Sequence, residues 1–414
     1  MTLSFAEMFS GRGADADIDG AYAWMRLAIG TVLATVGGVG MWAVIVVLPA
    51  VQAEFGVDRA DASLPYTATM IGFAAGNVLV GRAIDRVGYW LPALIASVVL
   101  AAGFALASMA TSIMQFTIIH AVIGAGSSII FGPLMADISH WFERRRGVAV
   151  SIAAAGNYIA GALWPVVMPY MMDYGGWRFA YLACGAICLA AMAPLALMLR
   201  RQRPLRDATV GGRARPLQQI PLSPAALQAL LVVAGLGCCV AMSMPQVHIV
   251  AYCVDLGYGV ARGGEMLSLM LAAGVVSRLA SGFLADRIGG VKTLLLGSTL
   301  QCLALLLYIP FDGLASLYVV SLVFGLSQGG IVPSYAIIVR EYFPASQAGT
   351  RVGVVLFATL IGMALGGWMS GLIFDITGSY QAAFMNGIGW NLMNVTIMVW
   401  LLLQSRRQPR PQAA

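Results

Sequence analysis

Arg278 stands in an otherwise apolar, helix-length stretch running from about Met266 to Leu284. Insertion scales put a guanidinium at a bilayer centre at roughly 2.5–3.5 kcal/mol unfavourable. The next polar turn, at Asp286, is eight residues on, or about 12 Å along a helix, which is far for the side chain to snorkel. Such a cation either pairs with a polar group inside a helix bundle or faces a water-filled path and binds an anion. Few other polar groups lie at depth. His248 precedes Asp255 by seven residues, on roughly one helical face. There the carboxylate would favour the protonated imidazole, and the histidine could carry a proton alongside an anion. His120, Tyr66, Tyr335, Asn157 and Tyr158 also fall within apolar runs. They can donate hydrogen bonds to a carboxylate or hydroxyl, or simply bond helix to helix. Trp42 falls deep in the first run and can shape a cavity.

The elements that hold these residues are set by composition. The chain of 414 residues is 60% hydrophobic and 10% charged, against about 25% charged in a soluble domain. It is expected to be an all-α membrane protein, because an apolar helix spans a bilayer in about 20 residues. Twelve apolar runs are legible, at about 24–52, 62–82, 90–110, 112–137, 147–172, 177–199, 223–254, 263–284, 291–310, 313–339, 348–374 and 381–403. Of the 24 Lys and Arg, 20 fall in one set of loops and tails. Arg59, Arg178 and Arg262 fall on the other side. This is the positive-inside pattern, and it predicts both termini in the cytoplasm. The net charge of +6 is thus a topology signal, and no nucleic-acid partner is expected. The first run is too long for a secretory signal, and the polar start of the chain reads as a cytoplasmic tail. The six cysteines, in or at the ends of apolar runs, read as packing residues, and no metal or cofactor site is expected. No nucleophile–base pair, carboxylate pair or phosphate loop shares one depth, so an enzyme is not expected.

The chain repeats itself. Gly81-Arg-Ala-Ile-Asp85-Arg86-Val-Gly88 recurs 201 residues later as Gly282-Phe-Leu-Ala-Asp286-Arg287-Ile-Gly289. The same offset carries Gly124 to Gly325. One six-helix unit used twice is the plan of transporters with a cavity between their halves. Boundaries follow: an N-terminal half at 1–199, a basic cytoplasmic linker at 200–222 lying against lipid headgroups, and a C-terminal half at 223–414. The paired turns, twelve runs and the repeat resemble the major facilitator superfamily. In that reading Asp85, Arg86, Asp286 and Arg287 form a cytoplasmic gate, pairing when that face is closed.

Two further stretches resemble the signatures of the monocarboxylate porters, relatives of the oxalate–formate exchangers. They are Asp19-Gly20-Ala-Tyr22-Ala23-Trp24, opening helix 1, and Trp141-Phe142-Glu-Arg144-Arg145-Arg146 through Gly156, leading into helix 5. The resemblance implies that Arg278, in helix 8, binds a substrate carboxylate. It also implies an acid one turn earlier and a lysine in helix 1, but this chain has Gly274 and no helix 1 lysine. Helix 11 lacks the second cation of the oxalate–formate exchangers, which argues for a single carboxylate. The expected function is a secondary transporter of small monocarboxylates such as lactate or pyruvate, working by alternating access in a bacterial inner membrane as a monomer. Proton symport through His248 and Asp255 is the first expectation for coupling, and anion exchange the second. The alternatives are efflux of a broader set of organic anions or drugs and, outside transport, a membrane sensor that kept the fold.

Overall fold

The computed structural model describes residues 18–201 and 220–406. Most of the expected basic linker, 202–219, lies outside the described residues. Within them there are helices and turns and no strand, as a chain surrounded by hydrocarbon requires, because only helices satisfy every backbone group within a single segment. We number the membrane-spanning helices α1 (Ala21–Phe55), α2 (Arg59–Val87), α3 (Trp90–Ser108), α4 (Ile113–Ser139), α5 (146–174), α6 (177–198), α7 (Pro224–Asp255), α8 (Gly259–Ile288), α9 (Gly290–Leu307), α10 (Leu314–Tyr342), α11 (Ala345–Thr377) and α12 (Tyr380–Arg406). α5 and α6 run on as one 53-residue helical stretch. Its backbone leaves helical geometry at Gly175 and Gly176, the latter with φ +74°. Among the described residues twelve crossings result, six in each half.

The repeat seen in the sequence is a repeat in space. Gly124 of α4 lies against the carbonyl of Thr69 on α2, where an added Cβ would stand 2.0 Å from the oxygen. Gly325 of α10 lies in the same way against Met270 on α8, at 2.2 Å. Both members of the second pair sit 201 residues after the first. Only glycine permits such an approach of backbone to backbone. The final glycines of the two repeated turns, Gly88 and Gly289, have φ of +77° and +86°. That left-handed backbone explains why glycine closes both motifs.

α4 and α10 are both broken near their own midpoints. In α4 a tight turn at Ser128–Ile130 ends at Phe131 (φ −118°, ψ −98°) before Gly132-Pro133 restarts the helix. In α10 the break is at Gly329-Gly330. Interrupted helices at matching places in two halves free carbonyls and N–H groups where a cavity can use them.

The halves touch unevenly. On the side away from the basic loops, Gly264 of α8 packs on the Pro165 carbonyl of α5, with an added Cβ at 2.2 Å. Gly371 of α11 packs on the Arg59 carbonyl of α2, at 2.8 Å. Thr67 donates to the Ala364 carbonyl at 2.9 Å, and Ser268 donates to the Ala162 carbonyl. Toward the basic side the halves diverge and leave a cavity between them.

Candidate binding cavity

The cavity has a volume of about 300 Å³ and is walled by both halves. Its closed end lies at Tyr66 and Gln246, each 2% exposed. Its wall continues toward the basic side to Val78 and Phe357, each 47% exposed. On α2 the wall is Tyr66, Met70, Phe73 and Asn77, one face of a helix read every three or four residues. Most of the remainder is apolar: Trp42, Phe131, and Met41, Met135, Met242 and Met363.

Among the described residues Arg278 is the only cation on that wall, and it is 8% exposed. Three contacts hold it. Its Nε donates to the Gly329 carbonyl at 3.3 Å, a carbonyl freed by the break in α10. Its Nη1 donates to the Ala154 carbonyl of α5 at 2.8 Å, across the two halves. Its guanidinium carbon lies 4.1 Å from the centre of the Tyr158 ring. No carboxylate of the described residues pairs with it. Nη2 bonds no described residue, yet it is not sealed from solvent. A guanidinium carries five N–H donors. Nη2 and the second hydrogen of Nη1 therefore remain for a planar, bidentate anion such as a carboxylate.

Gly274, standing where the porter resemblance implies an acid, has a physical role here. An added Cβ would sit 2.4 Å from Cε1 of Tyr158. The glycine makes room for the ring that stacks on Arg278. The Nε1 of Trp42 donates to the backbone carbonyl of Asn157 at 3.1 Å and to its side-chain oxygen at 3.3 Å. The Asn157 amide nitrogen bonds no described residue, and Asn157 is part of the cavity wall. The hydroxyls of Tyr66 and Tyr158 also bond no described residue, without being sealed in. Four of the residues singled out in the sequence, Arg278, Tyr66, Asn157 and Tyr158, thus share one cavity, with Trp42 beside them.

The other three are placed elsewhere. His120 is buried inside the N-terminal half, between Thr69 (3.1 Å) and Tyr181 (3.1 Å). Tyr335 is buried inside the C-terminal half, its hydroxyl between Asn394 and Cys238. Neither is on the cavity wall. His248 lies beyond the closed end of the cavity. Its Nε2 is 2.8 Å from the Gly367 carbonyl and its Nδ1 3.2 Å from the Tyr380 hydroxyl. Asp255 does not touch His248. It pairs with Arg59 at 3.0 Å, and Arg59 donates to the Tyr380 hydroxyl at 2.6 Å. Gln246, whose amide nitrogen donates to Gln328 and which lies on the cavity wall, was missed. An amide in the middle of the apolar run of α7 was the available signal.

At the basic face Arg86, Asp286 and Arg287 are exposed and pair with no described residue, and the Asp85 side chain lies outside the description. The two porter-like stretches pack on each other there. One carboxylate oxygen of Asp19 accepts from the backbone N–H groups of Glu143 (3.2 Å) and Arg144 (2.9 Å). Tyr22 meets Trp141 at 5.1 Å between rings, and Trp24 meets Phe142 edge-on at 5.0 Å. Burial opposes ionisation of Asp19, but the backbone N–H groups outweigh it and hold the carboxyl below its ordinary range. Beneath them Arg26 and Asp137 form a bidentate pair at 2.7 and 2.9 Å, 2% and 4% exposed.

Comparison with known proteins agrees with this architecture. The family model of the Major Facilitator Superfamily matches residues 30–320 and 254–414. The chain belongs to the Major Facilitator Superfamily. Two of its similar relatives in that superfamily are monocarboxylate transporter 13 of Bos taurus and of Rattus norvegicus. The first is 29% identical over 305 residues, 71% of this chain and 69% of the relative. The second is 28% identical over 325 residues, 76% and 72% of the two chains. The MFS-type transporter pynF of Aspergillus niger is 24% identical over 335 residues, 79% and 75% of the two. Among solved structures, a bacterial homologue of the human lysosomal transporter Spinster, inward-facing and unoccupied, aligns with a TM-score of 0.71 at 13% identity. That alignment covers 93% of this chain and 97% of the other. This superfamily member is therefore a membrane transporter resembling the monocarboxylate family, and not an enzyme.

Proposed function

We propose that the protein moves an organic monocarboxylate across the membrane by alternating access, the carboxylate resting on Nη1 and Nη2 of Arg278. The observation that carries this is the lone guanidinium on the wall of the cavity between the halves, stacked on Tyr158, bonded to two carbonyls, and without a carboxylate partner. A cation held on a mostly apolar wall with open donors favours an anion, because few protein groups there can pair with it. One cation suits one carboxylate. The hydroxyls of Tyr66 and Tyr158 and the Asn157 amide can take a further oxygen, as on a 2-hydroxy or 2-oxo acid like lactate or pyruvate. The basic loops mark the cytoplasmic side, with both termini there, in a bacterial inner membrane. The structure is then in its inward-facing shape. Arg86, Asp286 and Arg287, exposed and paired with no described residue, fit a cytoplasmic gate that has parted. Proton symport remains the first reading of coupling, with His248 as the titrating group and Asp255 acting through Arg59. Anion exchange is the second.

A second reading concerns size. A cavity of about 300 Å³ lined by aromatic rings and methionines has room for an apolar body larger than lactate. Efflux of a larger organic anion fits that lining, and one relative is named agnestins efflux protein AgnL12.

Proteoliposomes carrying the intact protein or Arg278→Ala, offered labelled lactate, pyruvate and a ring-bearing acid such as phenylpyruvate, test both readings. Arg278-dependent uptake driven by a proton gradient supports symport. Uptake that needs an internal counter-anion supports exchange. A preference for the ring-bearing acid supports the second reading. Binding without flux would mark a sensor, and no Arg278-dependent flux of any of these acids refutes the carboxylate site.

A further inference from the structure

Arg59 opens α2 at the outer face, and its backbone N–H and its guanidinium are held by the other half of the protein. Its backbone N–H and that of Ala60 donate to the two carboxylate oxygens of Asp375, at 2.9 and 2.7 Å. Asp375 thus caps the start of α2 from the end of α11, where an anion is favoured by the helix dipole. The guanidinium donates to Asp255 of α7 (3.0 Å) and to the Tyr380 hydroxyl of α12 (2.6 Å), and lies 4.8 Å from the Phe374 ring. The side chain is 7% exposed. Three helices of one half therefore close on the first turn of one helix of the other, above the sealed end of the cavity.

His248 is joined to this clasp by the Tyr380 hydroxyl. Its Nε2 faces a carbonyl oxygen, Gly367, which can only accept, so Nε2 carries a hydrogen. In a neutral ring Nδ1 is then an acceptor, and the Tyr380 O–H donates to it. The Tyr380 oxygen in turn accepts from Arg59. With a neutral imidazole a donor meets an acceptor at each of the contacts Arg59–Tyr380, Tyr380–His248 and His248–Gly367, while the Arg59 Nε is buried without a partner among the described residues. A proton on Nδ1 reverses the middle bond. The Tyr380 hydrogen loses its acceptor, and two cations face one phenol oxygen. Gly367 also packs on Tyr66, with an added Cβ 2.8 Å from its ring, so the same loop of contacts reaches the cavity end.

We propose that Arg59, Tyr380 and His248 couple protonation to the outer gate: the clasp closes on a neutral His248 and opens when His248 takes up a proton. This rests on the alternating-access reading above and names the residues that perform its coupling. The titratable and charged groups around His248 are Tyr380 of α12, Arg59 and Tyr66 of α2, Asp375 of α11, and Tyr252 and Asp255 of its own helix. Only Tyr380 touches its ring through a hydrogen bond. One consequence follows for leakage. A protonated carrier without substrate is held open to the outside, where its proton can leave only by the way it came.

The test is a distance measurement across the outer face. Spin labels at Tyr174 and Ile376, both exposed and on different halves, report open and closed populations in nanodiscs across a pH series, in a background free of reactive thiols. The intact protein is expected to open as pH falls, with the open-to-closed ratio changing by up to about tenfold per pH unit for one linked proton. His248→Gln is expected to abolish that dependence. Tyr380→Phe, which removes the shared hydroxyl and keeps the ring, is expected to flatten it and to raise the open fraction at neutral pH. Arg278→Ala is expected to keep the dependence while losing substrate flux, so failure of the carboxylate site and failure of the clasp are told apart. A pH profile unchanged in both His248→Gln and Tyr380→Phe overturns the proposal, as does an outer face that opens as pH rises.

Discussion

Placing an acid at Gly274, as the porter resemblance implies, should cost this protein both stability and substrate affinity, by separable routes. An added Cβ there stands 2.4 and 2.6 Å from Cε1 and Cδ1 of Tyr158. The neighbour is a ring fixed against Arg278, not the free end of a flexible chain. Overpacking of this kind costs about 1–3 kcal/mol. The ring's displacement forfeits its stack on the guanidinium, about 0.5–2 kcal/mol. The carboxylate has a second effect. Position 274 precedes Arg278 by one turn, on the same face of α8. An aspartate there would occupy the donors that Arg278 leaves open, and a substrate would have to displace it. Charge-assisted bonds of that kind are worth about 1.5–3 kcal/mol, which is roughly a ten- to hundredfold loss of affinity.

Tyr158→Ala separates the two routes. In the Tyr158→Ala background the clash is gone and the competition remains, so adding Gly274→Asp should cost little further stability while still lowering affinity. Gly274→Ala does the reverse, losing stability without the charge. The measurements are thermal unfolding in detergent and equilibrium binding of whichever panel acid shows the largest Arg278-dependent uptake, arranged as a double-mutant cycle. If Gly274→Asp is as stable as the intact protein and binds as tightly, the account of Tyr158 and Arg278 is wrong.

Three further outcomes are expected. Asp137→Asn strands the buried Arg26 guanidinium and should cost about 3–5 kcal/mol, read as a lowered unfolding temperature, while Arg26→Met with Asp137→Leu should recover much of it; an unchanged midpoint in the single variant would remove the pair from the account. Gly264→Ala places a Cβ 2.2 Å from the Pro165 carbonyl across the halves, so the outer face should no longer close as it does here, and spin-label distances across it should lengthen; closure as in the intact protein would contradict the packing described. Because the native carboxyl of Asp19 is held below its unfolded value, it adds stability above the ordinary aspartate range that is lost as pH falls through the native value; Asp19→Asn should therefore lower the unfolding midpoint near pH 7 and shrink the difference from the intact protein near about pH 3.

Much of the frame was legible because a membrane asks simple things of a sequence. Twelve apolar runs, a charge bias between loops and a 201-residue repeat do not depend on side-chain direction. Depth along a helix was legible for the same reason, which is why Arg278, Tyr66, Asn157 and Tyr158 could be singled out together. What depth cannot supply is azimuth. His120 and Tyr335 lie at useful depths but turn into the cores of their own halves. Azimuth also hid the apolar wall, since methionines and phenylalanines facing a cavity look like those facing lipid. Arg59 was set aside as a loop charge because it opens a helix; what gives it meaning is Asp375, 316 residues away. Asp255 was joined to His248 by helical spacing, whereas the connection runs through Arg59 and Tyr380 on two other helices.

The repeat, followed into the cavity, explains why one charge is expected there and how a second could be built. Asn77 stands 201 residues before Arg278, at the equivalent place on α2. It too lies on the cavity wall, and it too serves the break in its partner helix: its Oδ1 accepts from the backbone N–H of Gly132 at 3.1 Å, where Arg278 donates to the carbonyl of Gly329. Pseudo-symmetry has placed a neutral amide in one half and a cation in the other, both at helix breaks. Replacing Asn77 with arginine would set a second guanidinium across the cavity from the first, half-buried and open to the basic side. A monocarboxylate can satisfy only one of the two, and the other would remain partly desolvated without a partner, so monocarboxylate affinity should fall. A short dicarboxylate such as malonate or succinate engages both, so Asn77→Arg is expected to shift preference toward dicarboxylates by about tenfold or more, the worth of one added charge-assisted pair. Competition of unlabelled mono- and dicarboxylates against a labelled acid reads that ratio directly. An unchanged ratio in a folded Asn77→Arg protein would mean that the two positions, equivalent in the chain, do not face the same bound molecule.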